Sequence, residues 1–392
     1  MPSPLPAVVV ALPHGRGYPV HFAPLAELPR HLHAAGLRPE RAYVVTDEHV
    51  GPLYEGALAA ALEEAGWHVR VRRVPPGEPS KSLDVLGALY DDALAWGVTR
   101  RTLVVALGGG VVGDLAGFLA ATLLRGLPLA HAPTSVIAQV DSAIGGKTGV
   151  NHAAGKNLIG AFHQPALVLA DPATLATLPA REFASGLAEA VKHALLEGGA
   201  LLDALERDVD AVLAREAAAV ARLVREAAAV KAAVVSADEH ELGQRAVLNL
   251  GHTFGHALER ALGYGVVTHG EAVALGMRAA LHLSASLAAG VRLPPTPPLP
   301  DPFARADALV ARLPTPPLPG TLGDADVLAA MGTDKKRDAS GLRFVVLDAP
   351  GAPRLASDVP PAFVEAAWCY ARRAASETAS ETAGTGNVTV TE

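Results

Sequence analysis

Apolar and polar positions in this chain follow two successive patterns. Residues 42–47, 68–74 and 102–107 are short apolar or alternating runs, which predict strands. Between and after them, residues 53–65, 81–96 and 113–124 repeat their apolar positions at three and four, the spacing of one helix face. Strands and helices alternating at this distance predict a parallel sheet covered on both faces. The apolar run near the N-terminus, residues 1–12, is short and proline-containing and lacks a basic leader region, so it reads as a first strand.

Beyond about residue 175 the pattern changes. Residues 182–197, 201–235, 249–262 and 271–288 carry helical periodicity, and strand signals nearly vanish until residues 342–347. The predicted fold class is an α/β N-terminal domain, Rossmann-like, over residues 1–175, and a mainly α-helical C-terminal domain over residues 176–370. Residues 291–320 are proline-rich with one short helical stretch and read as an irregular connection inside the second domain. Residues 376–392 are rich in Ser, Thr, Ala and Glu and are expected to lack order.

Composition narrows the function. At 392 residues two domains are expected, and 50% hydrophobic content supplies a large core. A net charge of −7 argues against a general nucleic-acid binder but leaves room for a local basic pocket. The single cysteine, Cys369, excludes an intrachain disulfide framework and a cysteine-based zinc site, and reads as a small buried hydrophobe. No stretch approaches the ~20 uninterrupted apolar residues of a membrane span, so no membrane partner and a cytosolic location are expected.

Gly108-x-Gly110-x-x-Gly113 lies between a strand and a helix and fits the dinucleotide fingerprint. Glycines let a pyrophosphate approach the backbone, and a helix N-terminus favours its charge. The acid expected about 20 residues further on is missing; Asp47, Glu78 and Lys81 are candidates for the adenosine side from other positions. The stretch Asp141 to Asn157 packs glycines, Lys147, Lys156, an Asn and an Asp together, unlike a simple element. It is not a Walker motif, because the upstream glycine is wrongly spaced, but amides with ammoniums suit a phosphate. Arg125, Lys192, Lys231, Arg245, Lys335 and Lys336 add charge for a substrate with more than one anionic group.

His252 and His256, one helical turn apart, precede His269 by a short loop, and Glu189 lies on another helical stretch. Two of the histidines with the glutamate make a three-ligand zinc site with an open position. Either His252 or His256 is then left for acid–base work.

Several motifs in one order now resemble the 3-dehydroquinate synthase family over about residues 40 to 350. They are Gly108-Gly-Gly-Val-Val-Gly-Asp114, Gln139 to Asn151, Gly155 to Pro165, Glu189-Ala-Val-Lys192, Asn249-Leu-Gly-His-Thr-Phe-Gly-His256 and His269-Gly-Glu271. The resemblance implies zinc or cobalt on Glu189, His252 and His269, leaving His256 for the substrate. It implies NAD contacts from Asp47, Glu78, Lys81, Gly109, Gly110, Asp114, Thr134 and Thr177. It implies substrate contacts from Asp141, Lys147, Asn157, Lys192, Lys231, Arg245, Asn249 and His256, with Lys156 nearby and Lys335 or Lys336 on the phosphate. Arg125 would reach in from a neighbouring subunit of a homodimer. The implied substrate is 3-deoxy-D-arabino-heptulosonate 7-phosphate, a phosphorylated sugar acid. It is oxidised transiently by NAD, loses phosphate, is reduced again and closes to a carbocycle.

Ser135 stands where a second Thr is common in the family, and the Pro-rich segment and C-terminal tail are not family features. Alternatives are a secondary-metabolite sugar phosphate cyclase, whose substrates lack the carboxylate, and a metal-dependent polyol dehydrogenase, which releases its reduced cofactor. A non-catalytic NAD-binding protein would require a broken metal or lysine set, and none is broken here.

Overall fold

The computed structural model describes residues 5–263, 265–335 and 342–384. In chain order its first elements are β1 (Val8–Val10), β2 (Tyr18–Phe22), α1 (Leu28–Ala34), β3 (Arg41–Asp47), α2 (Gly51–Glu64), β4 (His68–Val74), α3 (Leu83–Trp96), β5 (Leu103–Gly108) and α4 (Gly110–Thr122). Next come β6 (Leu129–Pro133), β7 (Lys147–His152), β8 (Gly155–Phe162), β9 (Leu167–Ala170), α5 (Ala180–Glu197), α6 (Ala200–Leu213) and α7 (Ala217–Ala237). The last are α8 (His252–Leu262), α9 (His269–Ala289), α10 (Phe303–Val310), α11 (Asp324–Lys335), β10 (Phe344–Leu347), β11 (Pro353–Ala356) and α12 (Pro361–Gly384).

The chain divides into two compact units, Met1–Pro179 with Ala214–Arg245, and Ala180–Leu213 with Ala246–Glu392. This corrects the expected cut at 175/176 followed by one contiguous second domain. The segment 201–235 is two helices, broken where Arg215 takes φ +59°, and only the first stays with the second unit. The buried face of α7, including Val220, Leu223, Val224 and Val235, packs in the first unit, where α7 lies beside β1. Helical periodicity shows that a helix has a buried face, not which core receives it.

The first unit is built on a seven-stranded sheet of order β1-β2-β9-β6-β5-β3-β4. All neighbours are parallel except β1 and β2. β5 and β6 are buried at every position, as strands covered on both faces require. Alternate residues serve opposite faces. Tyr43, Val45 and Val104 meet Leu86, Leu89, Leu115 and Leu119 of α3 and α4, while Val44, Val105 and Leu107 meet Leu28, Leu32, Leu58 and Leu62 of α1 and α2. The strand order reverses between β3 and β5, so a crevice opens outside their carboxyl ends.

The glycine-rich stretch 141–157, expected to be no simple element, begins with a π-helical turn, Ala138–Ser142, and continues into the antiparallel hairpin β7–β8. This hairpin lies along α4.

In the second unit α9 is the central helix, buried at every position from Gly270 to Ser286, with α5, α8, α10, α12 and β10 around it. By length and mean hydropathy α9 could cross a membrane, although Glu271, Arg278 and His282 interrupt its apolar run; 83% of its apolar window is buried inside the protein. Phe254, Leu258, Leu275, Leu283, Val327, Phe344, Val364 and Trp368 form the core. The Pro-rich segment contains one helix, α10. α12 runs on to Gly384, through the first part of the tail expected to lack order; residues 385–392 lie outside the described residues.

Candidate functional site

In the first unit the residues assigned to a dinucleotide stand at the reversal point of the sheet and around it. Asp47 ends β3, and its Oδ1 accepts the amides of His49 and Val50 at 2.8 Å each. Gly109 precedes and Gly110 opens α4, directly after β5. A Cβ at Gly110 would lie 3.1 Å from Ser142 Oγ and would crowd this turn. The Thr134 amide donates to Gly108 O at 3.0 Å, which ties the end of β6 to the same turn. Thr177 pairs through its hydroxyl with the Tyr54 hydroxyl at 2.5 Å.

Lys81 is buried and ion-paired with Asp114 on the first turns of α4. Burial pushes the Asp114 carboxyl up, and Lys81 opposes that only in part. Glu78 accepts the side-chain amide of Asn151 at 2.7 Å, and the Asn151 backbone N–H donates to Lys81 O at 2.8 Å. Asn151 therefore ties the hairpin to the segment that carries Glu78 and Lys81, a role not assigned from the sequence. The side-chain-free start of a 13-residue helix beside an acid at a strand end fits a pyrophosphate and a ribose.

The residues assigned to anionic substrate groups also lie largely in this unit. Asp141, on the π-helical turn, accepts Lys231 Nζ from α7 at 2.7 Å. Lys147, at the start of β7, is exposed and ion-paired with Glu241. Lys156 and Asn157 begin β8; Asn157 has φ +57° and donates its amide to Asn151 Oδ1 at 2.9 Å.

Arg245, read as a carboxylate binder, is only 1% exposed. It donates to Glu239 O at 2.6 Å and to Gly145 O at 3.1 Å, and its Nε has no protein partner. Burial lowers its pKa, against the pull of Glu241 and Asp141. Arg125 is not gathered with this group. It is exposed, at φ +68°, beyond the C-terminus of α4, about 20 Å along the helix from the glycine turn.

In the second unit α5 carries Glu189, Lys192 and His193, all buried, with Glu189 and Lys192 ion-paired. His252 and His256 lie on α8, His269 opens α9, and Asn249 is exposed just before α8. Close packing brings these helices together. A Cβ at Gly276 would lie 2.0 Å from Gly251 O, and one at Gly270 would lie 1.8 Å from Ser185 O. Glycine at both positions therefore lets α9 approach the start of α8 and the backbone of α5.

Glu189 Oε1 then stands 3.6 Å from His252 Nε2 and 3.5 Å from His269 Nε2. Two ligands each ~2.1 Å from one tetrahedral ion lie roughly 3.4 Å apart, so the pair separations suit a shared metal. The opposite ring nitrogens are also engaged: His252 Nδ1 with Leu250 O at 3.2 Å, and His269 Nδ1 with Glu259 Oε2 at 3.5 Å. Such contacts leave Nε2 as the lone-pair face that a metal needs. His256 joins the group, since the three imidazoles offer ligand atoms within 4.8 Å of one another. Burial drives the His252 pKa well below the usual imidazole value. At His269 burial acts in the same direction, but Glu189 and Glu259 outweigh it and raise the group to about 9.

Two supporting residues were not assigned from the sequence. Glu259 lies three residues after His256 on one helix face, a spacing that could have flagged it. Glu271, quoted only as part of a motif, closes a capping box with Thr268 and pairs with Arg181. Lys335 ends α11, and Lys336 lies outside the described residues. Cys369, expected to be buried, is half-buried, with its thiol 3.7 Å from Asp324 Oδ2.

Two family models match the chain, 3-dehydroquinate synthase N-terminal over residues 71–185 and 3-dehydroquinate synthase C-terminal over residues 186–337. A curated 3-dehydroquinate synthase of Salinibacter ruber is 51% identical over 373 residues, 95% of this chain and 99% of the relative. Among solved structures, 2-epi-5-epi-valiolone synthase from Streptomyces hygroscopicus, with NAD+ and Zn2+ bound, is 28% identical with a TM-score of 0.79, covering 91% of this chain and 97% of that one. A 2-deoxy-scyllo-inosose synthase complexed with carbaglucose-6-phosphate, NAD+ and Co2+ is 26% identical with a TM-score of 0.77, covering 90% and 95%.

Proposed function

The chain belongs to the 3-dehydroquinate synthase family, and from that premise we propose that it converts 3-deoxy-D-arabino-heptulosonate 7-phosphate to 3-dehydroquinate and phosphate. It acts as a phosphate-eliminating lyase that depends on NAD and one zinc or cobalt ion. The observation that carries this reading is the convergence of Glu189, His252 and His269 from three helices, at the spacing of ligands of one ion.

When bound, NAD supplies reversible hydride exchange at a carbinol carbon, and the metal supplies a Lewis acid for substrate hydroxyls. The chain's own residues bind and orient. Gly109 and Gly110 leave the first amides of α4 open to a pyrophosphate, and Asp47 offers its remaining lone pairs to a ribose hydroxyl. Lys81 and Asp114 fix the wall beside them.

Lys147, Lys156, Asn157, Lys231 and Arg245 bind the anionic groups, with Lys147 exchanging Glu241 for a substrate oxygen. Lys192, held by Glu189, and Asn249 add polar contacts, and either Lys335 or Lys336 is assigned to the phosphate. His256, not needed beside the three ligands Glu189, His252 and His269, holds or releases a proton at a ring nitrogen. Asp141 keeps the Lys231 ammonium in place. The protein works as a homodimer, with Arg125 of each subunit serving its neighbour; its position beyond α4, away from the glycine turn, supports this.

The 51% identity to a curated relative, against 26–28% to the two secondary-metabolite cyclases, favours this substrate over theirs. The test is phosphate release from 3-deoxy-D-arabino-heptulosonate 7-phosphate by NAD-loaded protein, with and without a chelator. Release that stops on chelation and returns with zinc, with 3-dehydroquinate as product, supports the reading. No release from metal-replete, NAD-loaded protein overturns it and directs attention to glucose 6-phosphate and sedoheptulose 7-phosphate.

A further inference from the structure

His269 is the first residue of α9, and its backbone is fixed independently of its side chain. Thr268 and Glu271 close a capping box around it, Arg181 holds Glu271 in turn, and the Gly270 amide donates to Ser185 Oγ at 3.0 Å. None of these contacts sets the ring's rotation. The imidazole is about one-third exposed, at 32%, so packing alone does not hold it either. Within the metal cluster His252 is half of a similar case: its Nδ1 has a backbone acceptor, Leu250 O, two residues before it. At His269 the Nδ1 faces a side chain instead, Glu259, a buried carboxylate on α8 two turns beyond His252.

We propose that Glu259 is a positioning residue for the metal centre, accepting the Nδ1–H of His269 so that Nε2 is presented to the ion beside Glu189. Three observations carry this. The carboxylate is only 5% exposed, and placing a charge there is costly unless it is compensated. It lies 3.5 Å from Nδ1 while Nε2 of the same ring lies 3.5 Å from Glu189 Oε1, so the ring bridges two acids through its two nitrogens. Its location on α8, the helix that also carries His252 and His256, couples the third histidine to the same rigid element. A carboxylate behind a ligating imidazole fixes its tautomer and raises its basicity as a ligand, and losing one typically weakens metal binding about 10–100-fold.

The proposal rests on the reading of Glu189 and His269 as metal ligands, and its test uses metal binding instead of turnover. Full-length protein, Glu259→Ala and Glu259→Gln are stripped of metal, and zinc affinity is measured by competition with a chromophoric chelator. Cobalt-loaded samples give the absorption spectrum of the ligand field. Expected are a 10–100-fold weaker zinc affinity in Glu259→Ala, a smaller loss in Glu259→Gln, which keeps an acceptor oxygen, and an altered cobalt spectrum in both. In a His269→Ala background the Glu259→Ala change should weaken zinc binding no further.

Wild-type affinity in Glu259→Ala overturns the proposal. So do equal losses in both variants that only track a lower melting temperature of the metal-free proteins, since that marks a purely structural role. If wild-type protein binds no zinc, the metal reading itself fails. If it binds zinc but releases no phosphate, the substrate assignment fails and the role of Glu259 stands.

Discussion

Ser185 Oγ accepts the backbone N–H of Gly270 at 3.0 Å, and the Ser185 carbonyl lies where a Gly270 side chain would begin. One turn further along α5 is Glu189, and one residue before Gly270 is His269. The serine–glycine contact therefore sets how closely the glutamate and the histidine meet.

Gly270→Ala tests that relationship. A Cβ 1.8 Å from Ser185 O must push α9 off α5. We expect a stability loss of about 1–3 kcal/mol, as for overpacking, and zinc content well below one per chain. Gly87→Ala, at a half-buried position of α3 where an added Cβ would meet nothing within 4 Å, should instead stabilise by about 0.5–1 kcal/mol. Full zinc retention in purified Gly270→Ala would mean that the helices can separate without disturbing the ligands.

Lys81→Met tests the ion pair beside the glycine turn. The substitution leaves Asp114 in a buried setting that already pushes its carboxyl up, now without the cation that opposes this. Breaking such a pair costs about 3–5 kcal/mol when it is fully buried; with Asp114 22% exposed, about 2 kcal/mol is expected by urea denaturation. NAD binding measured by calorimetry should weaken as well. An unchanged urea midpoint would mean that Asp114 is simply protonated in the variant.

Tyr18→Phe and Arg245→Lys test how the loop before Lys147 is held. The Tyr18 hydroxyl accepts the Gly145 amide at 2.8 Å, and Arg245 donates to the Gly145 carbonyl. Removing the hydroxyl strands a buried N–H, at about 1–3 kcal/mol. Lysine at 245 cannot span both the Gly145 and Glu239 carbonyls with one ammonium. The phosphate-release assay should show kcat/KM falling at least tenfold in Arg245→Lys, chiefly through KM. Wild-type kinetics would show that one donor suffices.

His131, on β6, supplies a pH dependence. Burial, helped by the charge of His163, lowers it from 6.5 to about 4. The unfolded chain therefore takes up the proton first as pH falls. The stability contribution is complete above about pH 6.5 and is lost as pH drops towards 4. Between pH 7 and pH 5 this group should remove about 2 kcal/mol, and His131→Gln should flatten the urea-stability profile by that amount. Parallel profiles for the two proteins would remove His131 from the acid limb.

Much of the first unit was legible in the sequence. β3, β4 and β5 and the helices after them fall within a few residues of where the apolar pattern puts them, because β3 and β5, covered on both faces, read as apolar runs and the edge strand β4 alternates. β6 and β9, equally buried, were not assigned, since each is only four or five residues long. The hairpin β7–β8 was hidden by its glycines. At Gly160 a Cβ would lie 2.2 Å from Thr148 O, so the small residues mark close strand approach and not an irregular loop. In the site, the histidines and Glu189 stood out by residue type. Glu259 and Asn151 did not, because an acid or amide acquires its role from what it faces.

The sequence by itself determined the residue types of the chemistry, the alternation that builds a parallel sheet and the length of the central helix. These are local properties, recorded in spacing and composition. Only the tertiary structure decided that α7 packs with the first unit while α6 stays with the second, that Arg245 is buried against Gly145, and that Glu189 reaches the two histidines over sequence separations of 63 and 80 residues. Those outcomes depend on which apolar faces meet and on where a glycine lets two backbones touch. Neither is written in the periodicity of any one segment.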